Sequence, residues 1–149
     1  MRTTTSHLKP KDRPEPSWYL IDAGQAPLGR LASKVAMILM GKDQPNYSAW
    51  HNTGDKVIVI NAQDLVVTGN KLTDKIYYRH SGFPGGIKQA RLEEFVGKSP
   101  EQVIIMAVRG MLPKNKLAKT QLENLYVYAD ASHPHSGQQP LAINIGEKK

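Results

Sequence analysis

With 149 residues the chain is long enough for one domain with a real hydrophobic core. Its net charge of +7 calls for an anionic partner, and no apolar run approaches the roughly 20 residues needed to span a bilayer. The absence of cysteine excludes disulfides, cysteine-based zinc sites and thiol nucleophiles.

Residues 1–16 carry Pro10, Pro14 and Pro16 with Arg2, Lys9, Lys11 and Arg13, and almost nothing to bury. They read either as an extended basic arm that orders only against a partner or as a plain tail. The segment lacks the apolar centre of a secretory signal, so the protein is expected to act in the compartment that makes it, the cytoplasm or an organellar matrix. Residues 17–129 are expected to form a single α/β domain and residues 130–149 a surface-bound or loose tail.

Trp18–Ile21 is a β-prone run that ends in a turn at Asp22-Ala-Gly24. Pro27 suits the first position of a helix, where its missing N–H costs nothing. Leu28, Leu31, Val35, Ile38 and Leu39 then share one helical face, Arg30 and Lys34 lie opposite as candidate RNA contacts, and Gly41 supplies the stop. A polar link containing Tyr47, Trp50 and His51 leads to Val57–Ile60. That unbroken β-branched run suits a strand covered on both faces, as in a parallel sheet. Leu65–Thr68 reads as another short strand, or as a strand after one helical turn, and Gly69-Asn70-Lys71 as the turn that closes it.

Lys75–Arg79 is extended, and His80-Ser-Gly-Phe-Pro-Gly-Gly86 is too rich in turn formers for regular structure. Ala90–Val96 reads as a short helix. Ser99-Pro100-Glu101-Gln102 predicts the next helix, with a serine cap, proline in the first position and a capping box closed by Gln102. Val103, Ile104, Ala107, Val108 and Met111 would form its buried face, with Arg109 outward. Pro113 forbids continuation, so Leu117, Ala118 and Leu122 belong to a second helical piece. Leu125–Tyr128 returns as a strand. Helices alternating with apolar strands define an α/β class with a mostly parallel sheet of about four strands, covered on both faces.

Four stretches bear on function. The elbow from Arg109 to Lys119 contains Arg109, Lys114, Lys116 and Lys119 with Asn115, and no acid occurs between Glu101 and Glu123. Fixed positive charge on a rigid bend suits a polyanion of defined shape, RNA above all. From Lys75 to Leu92 the bases Lys75, Arg79, Lys88 and Arg91 again stand without an acid. In that stretch Tyr78 can stack on an unpaired base and Gly85-Gly86 permits close backbone approach; one of the two tyrosines should point inward. Gly24-Gln-Ala-Pro-Leu-Gly29-Arg30-Leu31 has the glycine spacing of a phosphate loop. Arg30 and Leu31, however, replace the lysine and the magnesium-binding hydroxyl, so a turn with an RNA-facing Arg30 is the better reading. His133-Pro-His135 has no third ligand at metal-binding spacing and suits phosphate or base contact, or solvent exposure. No serine sits in a nucleophile elbow, and no acid is spaced to orient a histidine. The aspartates, Asp55 among them, fall at turns and strand ends, where capping is their usual role.

Read together, Trp18–Ala23, Pro27–Ala32, Gly54-Asp55 before Val59–Ala62, Val67–Lys71, Asp74–Tyr78, His80–Gly82, Gly85–Lys88, Val108–Pro113, Leu125–Tyr128, His133–His135 and Gln138–Pro140 form an ordered set. This set resembles the family of the thirteenth protein of the large ribosomal subunit, bacterial or organellar type. The resemblance implies a three-layer α/β/α fold on a four-stranded, mostly parallel sheet. It also implies a non-enzymatic role in the large subunit, with large-subunit ribosomal RNA and neighbouring ribosomal proteins as partners and a part in early assembly. No cofactor, metal, membrane or small-molecule substrate is implied. The family's RNA-facing motifs fall on Asn70, Lys71, Tyr78, Arg79, His80, Gly85, Gly86, Lys88 and the Arg109–Lys119 elbow. Three departures stand out, the first that the arm before Trp18 is longer than in many members. Ala118-Lys119 replaces a common Gly-Arg, and Asp130 replaces a usual glycine in a turn expected to need unusual backbone angles.

Overall fold

A computed structural model describes residues 15–145; nearly all of the expected basic arm, residues 1–14, lies outside them, as do residues 146–149. The chain runs β1 (Trp18–Asp22), α1 (Leu28–Met40), β2 (Lys56–Ile60), α2 (Lys71–Asp74), β3 (Ile76–His80), β4 (Ile87–Arg91), α3 (Leu92–Lys98), α4 (Pro100–Met111), α5 (Lys116–Leu122), β5 (Leu125–Val127) and β6 (Leu141–Ala142). Strands β5, β2, β1 and β6 pair in that order, all parallel, and helices flank them in the expected three-layer α/β/α arrangement. Strands β3 and β4 form a separate antiparallel ribbon.

Strand β2 is central because Val57, Ile58 and Val59 are all apolar and fully buried, so both of its faces can be covered. Val57 and Val59 join Ile21, Leu125 and the apolar faces of α1 and α4 in the main core. Helix α1 contributes Leu31, Val35, Ile38 and Leu39, each worth roughly 1.5–3 kcal/mol on burial. It ends at Gly41, whose left-handed backbone (φ +75°) lets its N–H reach the Ile38 carbonyl while Lys42 N–H reaches Met37.

The link that follows α1 closes tightly onto the end of that helix. A Cβ on Gly54 would fall on the Leu39 carbonyl group, so only glycine fits. Asp55 is almost wholly buried. Its Oδ1 accepts from Ser17 N–H (2.9 Å) and its Oδ2 from Gln44 Nε2 (2.7 Å), tying the starts of β1 and β2 to the link. This carboxylate is a buried clamp, where the sequence suggests a turn cap.

Several local expectations are corrected. Leu65–Thr68 makes only one bridge, Val66 to Pro27; the fourth strand comes instead from the C-terminal segment, where Leu141–Ala142 pairs with Tyr19–Leu20. Pro27 precedes α1 as its cap residue, with extended ψ (144°), because it is held in that bridge. Ala90 belongs to β4, and the helix after it starts at Leu92. Ser99 makes no side-chain cap. Its own N–H, which Gln102 would have to reach in a capping box, already donates to the Phe95 carbonyl (2.8 Å), because α3 ends where α4 begins. Met111 is exposed and Leu112 is buried in its place, since the chain leaves the helix at Leu112 (φ −79°, ψ 152°) and the change of direction turns the next side chain inward.

Candidate nucleic-acid interface

The elbow is built as its sequence requires. Leu112 anchors the bend in the core, Pro113 blocks a further helical turn, and Asn115 starts α5 by accepting the Ala118 N–H on its Oδ1 (2.9 Å). Arg109, Lys114, Lys116 and Lys119 are all exposed around this bend. Arg109, Lys114 and Lys119 line a groove with Met106, Gly110 and Pro113. Asn115 thus has a structural duty of its own. Asn115→Ala is expected to lower stability by about 1 kcal/mol, the usual worth of such a cap, and a urea midpoint equal to wild type would contradict it.

A second groove runs along the other side of the last turns of α4. Arg30 from the start of α1, Lys71 from α2, and Lys75 and Tyr77 from β3 and its approach line it together with Gly110 and Met111. The fold therefore brings Arg30 and Lys71, forty-one positions apart in sequence, to the same end of α4 as the elbow. Tyr77 is the inward tyrosine: its ring meets Phe95 edge-on (5.3 Å between centroids), and Lys75 Nζ lies 5.6 Å from its centre. Burial raises its phenol pKa, so the ring is neutral at physiological pH. Tyr78 points away and is exposed.

The β3–β4 hairpin carries the third basic cluster. Arg79 and Lys88 stand directly opposite each other across the ribbon, with His80, Ser81 and Gly86 beside them. Like charges in cross-strand register repel, a cost that an anion bound between them would remove. The tip is set by its own residues. His80 Nδ1 accepts the Gly82 N–H (2.9 Å), Gly82 and Gly85 take positive φ, and a Cβ on Gly86 would strike Ser81 Oγ and the Phe83 carbonyl. Asn70 precedes α2 with its side chain making no cap, leaving the amide exposed.

Three of the candidate residues are occupied otherwise. Lys34 pairs with Asp43 (2.9 Å). His135 packs against both Trp18 and Tyr126 (centroids at 5.1 and 4.7 Å), and its Nε2 lies 2.8 Å from the Tyr128 hydroxyl. His133 stacks beside it at 6.5 Å, with Nδ1 buried and no hydrogen-bond partner. The histidine pair thus holds the C-terminal segment against β1 and β5. Among the described residues no group of three or more potential metal ligands occurs.

Among the described residues the Lys34–Asp43 pair is the only ion pair. Arg30, Lys71, Lys75, Arg79, Lys88, Arg109, Lys114, Lys116 and Lys119 have no carboxylate partner among the described residues, which leave their charge uncompensated. The glycine-spaced turn before α1 is unsuited to a nucleotide: the Asp22 carboxylate takes the Gly24 N–H (3.0 Å), and Leu31 is fully buried. Asp130 needs no unusual backbone. Its φ is not positive, and its side chain accepts from Gln63 Nε2 (3.2 Å), so its charge is turned back onto the fold. Sequence reading overlooked Lys75, Met106 and Gly110 as groove residues. Lys75 stood in an acid-free basic run, the one signal that could have found it; nothing local marks the other two.

Comparison with known proteins gives a consistent result. The profile of the family described as Ribosomal protein L13 matches residues 16–134. The chain is 50% identical over 141 residues to a protein of Geobacter sulfurreducens, covering 95% of this chain and 99% of that one. It is 52% identical over 128 residues to one of Pseudomonas syringae pv. tomato, covering 86% and 90%. With one of Pseudomonas aeruginosa it shares 49% identity over 145 residues, covering 97% and 100%. All three bear the name large ribosomal subunit protein uL13.

Proposed function

Because the chain belongs to the ribosomal protein L13 family, and is thereby a non-enzymatic component of the large ribosomal subunit, we propose that it binds large-subunit ribosomal RNA through the α4–α5 elbow and the β3–β4 hairpin and supports early assembly of the subunit. One observation carries this reading: the cations around the end of α4 and along the hairpin have no carboxylate partner among the described residues. A fold that leaves so much fixed charge unanswered is completed by a polyanion, and phosphate contacts dominate such binding. The glycines of the hairpin tip admit close backbone approach, and exposed Tyr78 offers a stacking surface. Neighbouring large-subunit proteins are the further partners on this reading.

A titration of the full chain with large-subunit ribosomal RNA over a salt series tests it. If about six to ten phosphates are engaged, affinity falls about 10³- to 10⁵-fold between about 50 and 200 mM salt. Lys114→Ala/Lys116→Ala/Lys119→Ala is expected to weaken binding and to make the log–log salt slope shallower by roughly 2 to 3, about one for each phosphate contact removed. Unchanged affinity and slope in a folded triple variant would reduce the elbow to a solvated face.

A further inference from the structure

Gly29 and Gly110 are helical glycines that the fold does not require. Neither has a left-handed backbone, and beyond its chain neighbours and its own helix backbone a Cβ built on either would meet no atom within 4 Å. Glycine within a helix is less stable than alanine, because it surrenders more backbone freedom on folding. The two come from different helices, the first turn of α1 and the last turn of α4, yet they line one groove. The groove, about 810 Å³, falls within the range of clefts that take small organic groups, roughly 300–1,000 Å³.

The lining indicates what fills it. Among the described residues Arg30, Lys71 and Lys75 stand around it without carboxylate partners, and no acidic residue lines it. Tyr77, Met106 and Met111 provide an apolar, polarisable wall. Uncompensated cations beside an aromatic and thioether surface match phosphates flanking a flat, uncharged ring. An extended arm of another RNA-binding protein, itself basic, would add positive charge where it is already in excess. We infer that this groove receives one unstacked nucleotide of the bound RNA, its base against Tyr77 and the methionines and its phosphates on Arg30, Lys71 and Lys75. The assignment rests on the RNA-binding reading above and goes beyond it by naming a discrete base site.

Gly110→Leu and Gly29→Leu test it, because each fills the groove from a separate helix without removing charge. Binding of the full chain to large-subunit ribosomal RNA is expected to weaken roughly 5- to 100-fold, the worth of one stacked base, with the salt slope unchanged. Thermal melting identifies the variants that keep the wild-type fold, and Gly29→Leu is the deciding one, because Gly110 also lines the elbow groove whereas Gly29 lines only this one. Should wild type bind with steep salt dependence and the folded leucine variants bind equally tightly, the base site is overturned while the RNA-binding reading stands. Should the variants bind naked RNA normally but fail to enter subunits reconstituted with the other ribosomal proteins, the groove holds a protein segment and the inference is likewise overturned. If wild type itself shows no salt-dependent binding, the RNA-binding reading falls and the base site falls with it.

Discussion

Gly54→Ala is expected to destabilise the protein by about 3 kcal/mol or more, lowering its melting temperature by roughly 10 °C. The added methyl would occupy the position of the Leu39 carbonyl and approach that of Ile38 (3.1 Å), the last turn of α1. Those groups are backbone, so relief needs α1 and the 53–55 segment to separate. Separation would break the Asp55 N–H to Ile38 carbonyl bond (3.2 Å) and disturb Gly41, whose own Cβ position lies 2.7 Å from Thr53 backbone atoms. Gly97→Ala is the control, since nothing lies within 4 Å of a Cβ there and alanine favours the helix. Melting curves of the two variants decide the matter; a Gly54→Ala protein as stable as Gly97→Ala would refute the close approach.

Asp55→Ala is expected to cost about 2 kcal/mol, because it removes a buried acceptor from two part-buried donors, the Ser17 N–H and Gln44 Nε2. Asp55→Asn keeps one oxygen for Ser17, and rotation of the Gln44 amide presents its own oxygen to the new NH₂. The asparagine variant is therefore expected to recover more than half of the loss. Urea unfolding of both variants measures this, and equal midpoints for alanine and asparagine would mean that the two hydrogen bonds carry no weight. The effect should appear as a change in midpoint without a change in slope, since the surface exposed on unfolding is nearly the same.

Neither residue advertises its role locally. Gly54 and Asp55 stand in a polar link where glycine and aspartate are commonplace turn formers, and only the return of that link onto the end of α1 makes one indispensable and the other buried. The hairpin shows a related difficulty. Ile87-Lys-Gln-Ala-Arg91 lacks the apolar alternation of a half-buried strand, because β4 is almost entirely exposed and is held by its ladder to β3. Leu141–Ala142 is too short to leave a periodic signal and becomes a strand by pairing with Tyr19 and Leu20. The capping box at Ser99 failed for the opposite reason: its pattern is correct, but a preceding helix had already taken the N–H it needs.

Periodicity within one element requires no knowledge of the rest of the chain, which is why β1, α1, β2, α4, α5 and β5 were readable from residue order alone, along with the basic elbow at Pro113. The ordered motifs likewise sufficed for the family, since many short matches in sequence order are specific even when each is weak. Convergence is a different kind of information. That Arg30, Lys71 and Lys75 share a groove with Gly110, that Lys34 is neutralised by Asp43, and that His135 is packed against Trp18 and Tyr126 are consequences of how layers stack. Charge and hydrophobic pattern determined that this protein would fold as a parallel α/β domain carrying an excess of positive charge. Tertiary packing decided which of the described cations remain without an acidic partner, because a side chain's partners are chosen by distance in space and its neighbours in sequence do not specify them.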